Sequence, residues 1–510
     1  LWWGHRIPAL YDEDRNIYVG KIVSEVRKKY GLSKKIGLTQ DQDVLDTWFS
    51  SQLWTFVTLG WPKKTKRLKK FHPTSVLVTG FDIIFFWVAR MIMITNKFLN
   101  EVPFKEVYVH GLVRDGDGQK MSKSKGNIID PIDIIDGIGL KELIKKRTSG
   151  LMNPKQEAKI IANTKKEFPN GIGSYGTDAM RFTFCSLASG SRDINFDIKR
   201  LEGYRNFCNK LWNASRFVKI QCQSIDNNAV VSRNSEDLWI NSEFNKTLED
   251  FSKYIESYRF DLATQSAYDF FWEKFCDWYI EFCKIKLNSS EIKESEKNKI
   301  KASLVNIMEK SLILLHPIMP FITEEIWQDF RPLHKSKLKS ISQKNFPKVS
   351  KISKDFSEII ILQEAITGIR NIRSEMLIPQ KEQINITASK SSLLFKLLQK
   401  NKHYLYEMAG VNEILELTKK APPSAIVLIG KEKIYLPLEG LIDVQDEKNR
   451  SQKNLEKLTR SIQSLDNQLK NKKFIKNAPK PLIKERKLQL KEANAKIKKL
   501  NDHLEILERI

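Results

Sequence analysis

The sequence predicts a multidomain α/β plus α protein, on three observations. Residues 1–145 alternate short β-branched runs with helical patterns, as in an α/β unit with a parallel sheet. Residues 200–346 carry apolar side chains at helical spacing. Residues 448–510 step apolar residues by three and four on either side of a proline-containing break. At 510 residues the chain is long enough for roughly three to four domains.

Composition narrows the function classes. Lys and Arg (86) outnumber Asp and Glu (61), a net charge of +25, which favours a polyanionic partner such as nucleic acid. A hydrophobic share of 41% excludes a disordered chain. In the most hydrophobic region the longest apolar run, Ile83 to Ala89, is too short to span a bilayer, so no membrane role is expected. Cys185, Cys208, Cys222, Cys276 and Cys283 form no CxxC pair, which predicts reduced thiols in a cytosolic setting and no zinc site. The opening Leu1-Trp2-Trp3 is no signal peptide and lacks Met, so the chain is expected to begin inside a longer protein.

Taken in order, Trp2 to Pro8 reads as a loop and Asp43 to Ser51 as a partly apolar turn carrying Trp48. Within Ser75 to Asn100, Val76-Leu77-Val78 is a buried strand and Thr79-Gly80 a turn. Asp82 then opens a helix on which Ile83, Trp87, Met91 and Ile94 share a face. Strand, glycine turn and helix start place a ligand site at a sheet's carboxyl edge. Ile83 and Trp87 are core residues or, with Trp48, walls of a small apolar pocket able to measure a branched aliphatic group. Val107 to Val113 reads as a single strand. It leads through Asp115-Gly116-Asp117-Gly118 to a mobile loop, Lys120-Met121-Ser122-Lys123-Ser124, followed by Gly126. Two lysines there can follow a polyphosphate as charge builds during reaction, or can simply be solvated.

Residues 146–199 read as a connecting region in which Thr177 caps a helix starting at Asp178. The first helix of 200–346 puts Tyr204, Cys208, Leu211, Trp212 and Ser215 on one face and Arg205, Asn206, Asn209, Asn213 and Arg216 elsewhere. That spacing suits core packing, and it also suits contact with single-stranded RNA. Residues 347–447 predict a small α+β domain, with a helix near Ile359 to Met376 and strands near Ile384 to Thr387, Ala425 to Ile429 and Lys433 to Pro437. In residues 448–510, two apolar seams run from Leu455 to Leu469 and from Leu490 to Leu507. Pro479 and Pro481 forbid a continuous helix between them, which predicts an antiparallel coiled-coil hairpin. Residues 470–499 hold 12 basic and 2 acidic side chains, net +10, which suggests a phosphate-reading arm.

The stretches FHPTSVLVTGFDIIFFWVARMIM, HGLVRDGDGQKMSKSKGNIIDP, YGTDAMRFTF and GYRNFCNKLWNASRF resemble the C-terminal half of the bacterial valyl-tRNA synthetases, class I aminoacyl-tRNA synthetases. The resemblance runs along nearly the whole chain and is strongest over residues 1–217. It implies that residues 1–145 are the second half of a Rossmann-like nucleotide-binding fold with a KMSKS loop and that 146–199 contact the tRNA stem. It further implies an anticodon-binding helical bundle over 200–346, the small α+β domain over 347–447, and a tRNA-binding arm over 448–510. Trp48, Ile83 and Trp87 match the family's valine side-chain pocket, and Asp82 lies beside the amino acid. Thr79 and Gly80 match positions around the adenylate ribose, and His110, Gly111 and Leu112 the edge that holds adenine. Lys120 and Lys123, in the ATP-binding loop with Met121, Ser122 and Ser124, match the lysines that stabilise the triphosphate under attack by the valine carboxylate.

The implied reaction is that of a cytoplasmic, monomeric valine–tRNA ligase. Valine and ATP, with magnesium, give valyl-adenylate, and the valyl group passes to tRNA(Val); the full-length family also edits mischarged threonine. Arg205, Arg216, Lys472, Lys473, Lys476, Lys480, Lys484, Arg486 and Lys487 are the expected tRNA contacts. One departure is large. No two of His5, His72, His110, His316, His334, His403 and His503 have the HxGH spacing that class I enzymes need, and no editing domain is visible. The expectation is a fragment, or a split gene's second product, inactive alone. The alternative is a non-catalytic tRNA- or RNA-binding protein that kept the scaffold.

Overall fold

The computed structural model describes residues 4–116, 118–122, 125–151, 153–190, 193–226, 229–334, 336–352, 354–417, 422, 424–438 and 444–470, with 486, 489, 490, 493, 494, 497, 501 and 504 from the remainder. Lys123, Ser124, Lys472, Lys473, Lys476, Lys480, Lys484 and Lys487, and most of the returning arm of the expected hairpin, therefore lie outside the described residues. Two compact units are present: Leu1–Asn209 with Asp250–Ala267 and Pro317–Ile322, and Lys210–Glu249 with Tyr268–His316 and Thr323–Ile510.

The first unit does not begin with the parallel sheet expected of residues 1–145. Ala9–Tyr11 pairs antiparallel with both Ile17–Val19 and Thr39–Gln40, and His5–Arg6 pairs antiparallel with Val44–Leu45. Asp12 closes the first turn by accepting from the Asn16 amide at 2.8 Å, so the chain doubles back at once instead of crossing over. Parallel pairing starts later, between Thr74–Gly80 and Phe104–His110 and between Leu112–Arg114 and Asp193–Asn195. The single strand expected over Val107 to Val113 is thus broken at Gly111, and each piece has its own partner.

The helix after Gly80 also departs from expectation. A 3-10 turn over Phe81–Ile83 and a π turn over Ile84–Val88 precede the α-helix Ala89–Leu99. The wide π turn shifts the register, so the buried positions are Val88, Met91 and Thr95 rather than an Ile83–Trp87–Met91–Ile94 stripe. Val88 and Met91 form a core cluster with Phe104, against which Leu77 and Trp87 pack, while Ile83 is 39% exposed.

In the connecting region, helix Thr177–Leu187 is capped at its N-terminus by Gly176 and not by the Thr177 side chain. Asp178 instead accepts from the Ile322 and Phe321 amides at 2.6 and 3.4 Å, and Arg181 donates to the Ile318 and Pro317 carbonyls at 2.9 and 3.1 Å. One helical turn thereby holds both the amides and the carbonyls of segment Pro317–Ile322 in place.

Helix Ile198–Cys222 buries Leu201, Phe207, Leu211, Ala214, Ser215 and Val218. Its inner face is rotated from the expected one, and Trp212 is 38% exposed. Arg205 and Arg216 are exposed, as that spacing requires.

The second unit packs helical segments 235–249, 268–288, 294–315 and 323–334 around an aromatic core that includes Trp239, Phe244, Phe275, Tyr279, Phe282 and Trp327. Phe270–Tyr279 is a second π segment. The small α+β region belongs to this same unit. Its strands lie in the order Val411–Glu416, Ile384–Ala388, Glu432–Pro437, Ser424–Ile429, with the first pair parallel and the rest antiparallel. Helix Ser357–Glu375 crosses that sheet at Gly368, where an added Cβ would come within 2.3 Å of Val427 Cγ1. Tyr404, on helix Lys402–Ala409, donates to Glu236 at 2.6 Å and stacks edge-on against Phe282. Helix Val444–Lys470 follows.

Candidate active site

The parallel register sets Thr79 beside Val109 and Gly80 beside His110, at the carboxyl ends of both strands. Thr79 is buried, and its Oγ1 donates to the Gly80 carbonyl at 3.1 Å. Gly80 sits in a tight angle: an added Cβ would lie 2.6 Å from Asp82 Oδ1, 3.6 Å from His110 Cε1 and 3.7 Å from Leu112 Cδ2. Thr79, Gly80, Asp82, His110, Gly111 and Leu112 are therefore brought together at one sheet edge. His110 Nδ1 is 2.9 Å from the Gly111 carbonyl, which can only accept, so that nitrogen is the donor of the pair.

The apolar candidates divide differently. Trp48 lies on helix Thr47–Gln52, whose N-cap Asp46 accepts from the Phe49 amide at 2.9 Å. Its indole is covered by the Arg90 guanidinium at 3.4 Å and approached by Phe86 at 5.9 Å. Trp87 instead faces the Leu77, Val88, Met91 and Phe104 cluster, and Ile83 stands at the 3-10 turn. Sequence reasoning missed Arg90. Its signal was a lone cation in an otherwise apolar run, FFWVARM.

The lysine loop is framed on both sides. Arg114 pairs with Asp193 at 2.9 Å and forms an isolated antiparallel bridge with Lys120. Asn127, also missed, accepts from the Ser122 amide at 2.9 Å and donates to Asp115 Oδ2 at 2.7 Å and the Lys120 carbonyl at 3.3 Å. Gly126 adopts φ +62°, where an added Cβ would meet Ile160 Cδ1 at 2.7 Å and the Arg147 carbonyl at 3.0 Å. Beyond it, Asp130 caps helix Pro131–Asp136 and is bound by Lys146 at 2.6 Å. That hydrogen bond holds the Asp130 carboxyl below the usual carboxylate range. Met121 packs on the Ile134–Phe196–Leu201 core. Among the described arm residues, Arg486 donates to Gln489 at 2.9 Å.

Among the described residues, no group of three or more His, Cys, Asp or Glu could hold a metal ion. No described helix is long and apolar enough to cross a membrane.

Residues 1–197 match the family of tRNA synthetases class I (I, L, M and V), residues 237–388 the anticodon-binding domain of tRNA ligase, and residues 443–508 the valyl tRNA synthetase tRNA binding arm. The chain is 46% identical to the valine–tRNA ligase of Francisella tularensis, with 95% of this chain and 53% of that protein covered. It is 45% identical to that of Psychrobacter arcticus, with 100% and 54% covered. The chain thus spans about half the length of the curated relatives it matches. Among solved structures, the LeuRS-tRNA-LeuAMS ternary complex of Agrobacterium radiobacter K84 aligns with a TM-score of 0.48 at 15% identity, covering 82% of this chain and 49% of that one. A methionyl-tRNA synthetase of Mycobacterium tuberculosis bound by methionyl-adenylate aligns at 0.41 and 16%, covering 58% and 51%.

Proposed function

We infer that this chain, which belongs to the class I aminoacyl-tRNA synthetases, is the phosphate-handling and tRNA-binding half of a cytoplasmic, monomeric valine–tRNA ligase. The observation that carries this reading is the sheet edge at Gly80 and His110, followed by a lysine loop pinned at both ends, in a chain with 45–46% identity to valine–tRNA ligases across nearly all its length. Thr79, Gly80, His110, Gly111 and Leu112 hold the adenosine. Asp82 meets the valine ammonium, and Trp48, Ile83 and Trp87 bound its side chain. Lys120 and Lys123 neutralise the triphosphate as the carboxylate attacks the α-phosphorus, with Met121, Ser122 and Ser124 shaping their loop. Magnesium arrives on the ATP phosphates in this reading.

tRNA(Val) is the polyanion that the net charge of +25 serves. Its contacts are Arg205, Arg216 and Arg486 together with Lys472, Lys473, Lys476, Lys480, Lys484 and Lys487. The five-part division into 1–145, 146–199, 200–346, 347–447 and 448–510 is part of the same proposal. A non-catalytic RNA binder is less well supported, because the similarity extends through the nucleotide-binding residues and not only the RNA-binding ones.

The test is valine-dependent exchange of pyrophosphate into ATP. The chain alone is expected to give none. Co-expressed with the part of the Francisella tularensis relative that it does not cover, it is expected to support exchange with valine, and Lys120→Ala should lower kcat by ~10²-fold, the scale of one lost transition-state contact. Exchange that stays absent from an assembled pair, or that prefers another amino acid, would refute the reading.

A further inference from the structure

We propose that Asn127, one residue beyond the lysine loop's closing glycine, is a positioning residue: a latch that fixes the backbone of Lys120 to Ser122. The inference rests on the function proposed above for its catalytic consequence, but not for its structural content.

Both ends of the Asn127 amide are used, and in opposite senses. Its nitrogen faces two acceptors, the Asp115 carboxylate at 2.7 Å and the Lys120 carbonyl at 3.3 Å, while its oxygen faces one donor, the Ser122 amide at 2.9 Å. That environment settles which end of the amide is which. Asp115 is itself held, because its Oδ1 accepts from the Gln119 amide at 2.7 Å and its carbonyl from Gly118 at 2.9 Å. On the other side Gly126 is seated against Ile160 and the Arg147 carbonyl in a conformation and space that admit only glycine. The latch therefore joins a fixed turn to a fixed seat. A hydrocarbon at position 127 would free all three partners. A carboxylate would keep the Ser122 amide but face the Asp115 carboxylate with no proton to donate.

In the proposed reaction the loop must bring its lysines to the phosphates at one register. Loss of the latch should therefore cost turnover rather than valine affinity.

The test begins with the full chain alone, by hydrogen–deuterium exchange of the peptide covering residues 115–122. Asn127→Ala is expected to speed exchange there by about tenfold or more, the scale of losing two or three net hydrogen bonds, with the rest of the first unit unchanged. Asn127→Asp should behave alike. Combining Asp115→Asn with Asn127→Asp reverses donor and acceptor across the 2.7 Å contact and should recover much of the lost protection, short of the original because the Lys120 carbonyl still lacks its donor. Unchanged exchange in Asn127→Ala overturns the proposal. So does a combined variant no better than Asn127→Asp, and this second comparison decides the matter even if the alanine variant loosens the whole unit. In the co-expressed assembly, Asn127→Ala should lower kcat for valine-dependent exchange about tenfold with the valine KM within twofold, and the combined variant should recover part of it. A raised valine KM with unchanged kcat would overturn the positioning role. An assembly with no exchange at all refutes the valine–ATP reading, while the deuterium measurement still decides the latch.

Discussion

Replacing Lys286 by Met should destabilise the second unit and reverse the sign of the contribution that Glu236 makes to its pH dependence. Lys286 Nζ lies 2.8 Å from Glu236, both side chains are only 16% exposed, and Tyr404 donates to the other Glu236 oxygen at 2.6 Å. Burial pushes the Glu236 carboxyl up, but the charge and hydrogen bond of Lys286, aided by Tyr404, bring it below its ordinary 4.5. At 2.8 Å the Coulomb attraction is about 6 kcal/mol for an effective dielectric near 20, and desolvation of both groups takes back much of it. Removing one partner of such a pair typically costs about 3–5 kcal/mol, and the residual exposure puts this one near 3. In the native chain Glu236 contributes stability fully above its unfolded value, and the contribution is lost as pH falls through the depressed folded one. In Lys286→Met burial dominates and the folded value rises above 4.5. Stability should then decline as pH climbs from about 4.5 towards 7, so the gap between variant and native chain widens with pH. The assay is urea unfolding by circular dichroism across that range, with hydrogen exchange of residues 236–249 assigning the transition. A loss below about 1 kcal/mol at pH 7, or a gap that does not change with pH, would refute the reasoning.

Three further predictions concern the site and its surroundings. Gly126→Ala places a Cβ 2.7 Å from Ile160 in a left-handed backbone, which should cost about 2–3 kcal/mol and show as a lower Tm for the first unit; an unchanged Tm would mean that the seat yields. On the proposed function, Trp87→Ala in the co-expressed assembly should weaken valine-over-isoleucine discrimination by about tenfold in pyrophosphate exchange, since one methylene in an apolar pocket is worth about 1–3 kcal/mol; an unchanged ratio would remove Trp87 from the proposed pocket. Burial pushes the Cys208, Cys222 and Cys276 thiols up to about 12, so none should react with iodoacetamide at pH 8 in the folded chain, and all should react in urea, as mass spectrometry would show.

What could be read from the sequence followed a physical pattern. The strand over Val76-Leu77-Val78, its glycine turn and the loop after Arg114 were legible because β-branched runs, Gly/Asp clusters and spacing are local signals, but the burial expected of that strand was not met, since Val78 is 57% exposed. The antiparallel ribbons of Ala9–Tyr11 and Ile17–Val19 were not, because three-residue strands carry too little alternation to show direction. Strand Val411–Glu416 was missed for a related reason. Its VNEILE pattern is mixed, and its parallel partner Ile384–Ala388 is reached only after two short helices. Asn127 escaped because its role depends on Asp115, twelve positions earlier and across a turn. The grouping of Ile83, Trp87, Met91 and Ile94 on one stripe failed because a π turn can be decided only by packing.

That π turn also constrains how this chain can change length. Helix Ala89–Leu99 has its phase set by Val88, Met91 and Thr95, and strand Thr74–Gly80 has its own set by pairing with Phe104–His110. The wide turn over Ile84–Val88 absorbs the mismatch between two fixed phases. Deleting one of the exposed residues Ile84 to Phe86 would restore an ordinary α turn and rotate Asp82 and Ile83 by ~100° relative to the helix, while Val88 and Met91 keep their mutual spacing. A deletion within Ala89–Leu99 would do the reverse, misplacing the core while the sheet edge stayed put. Length variation in this segment therefore separates two kinds of damage, one to chemistry and one to folding.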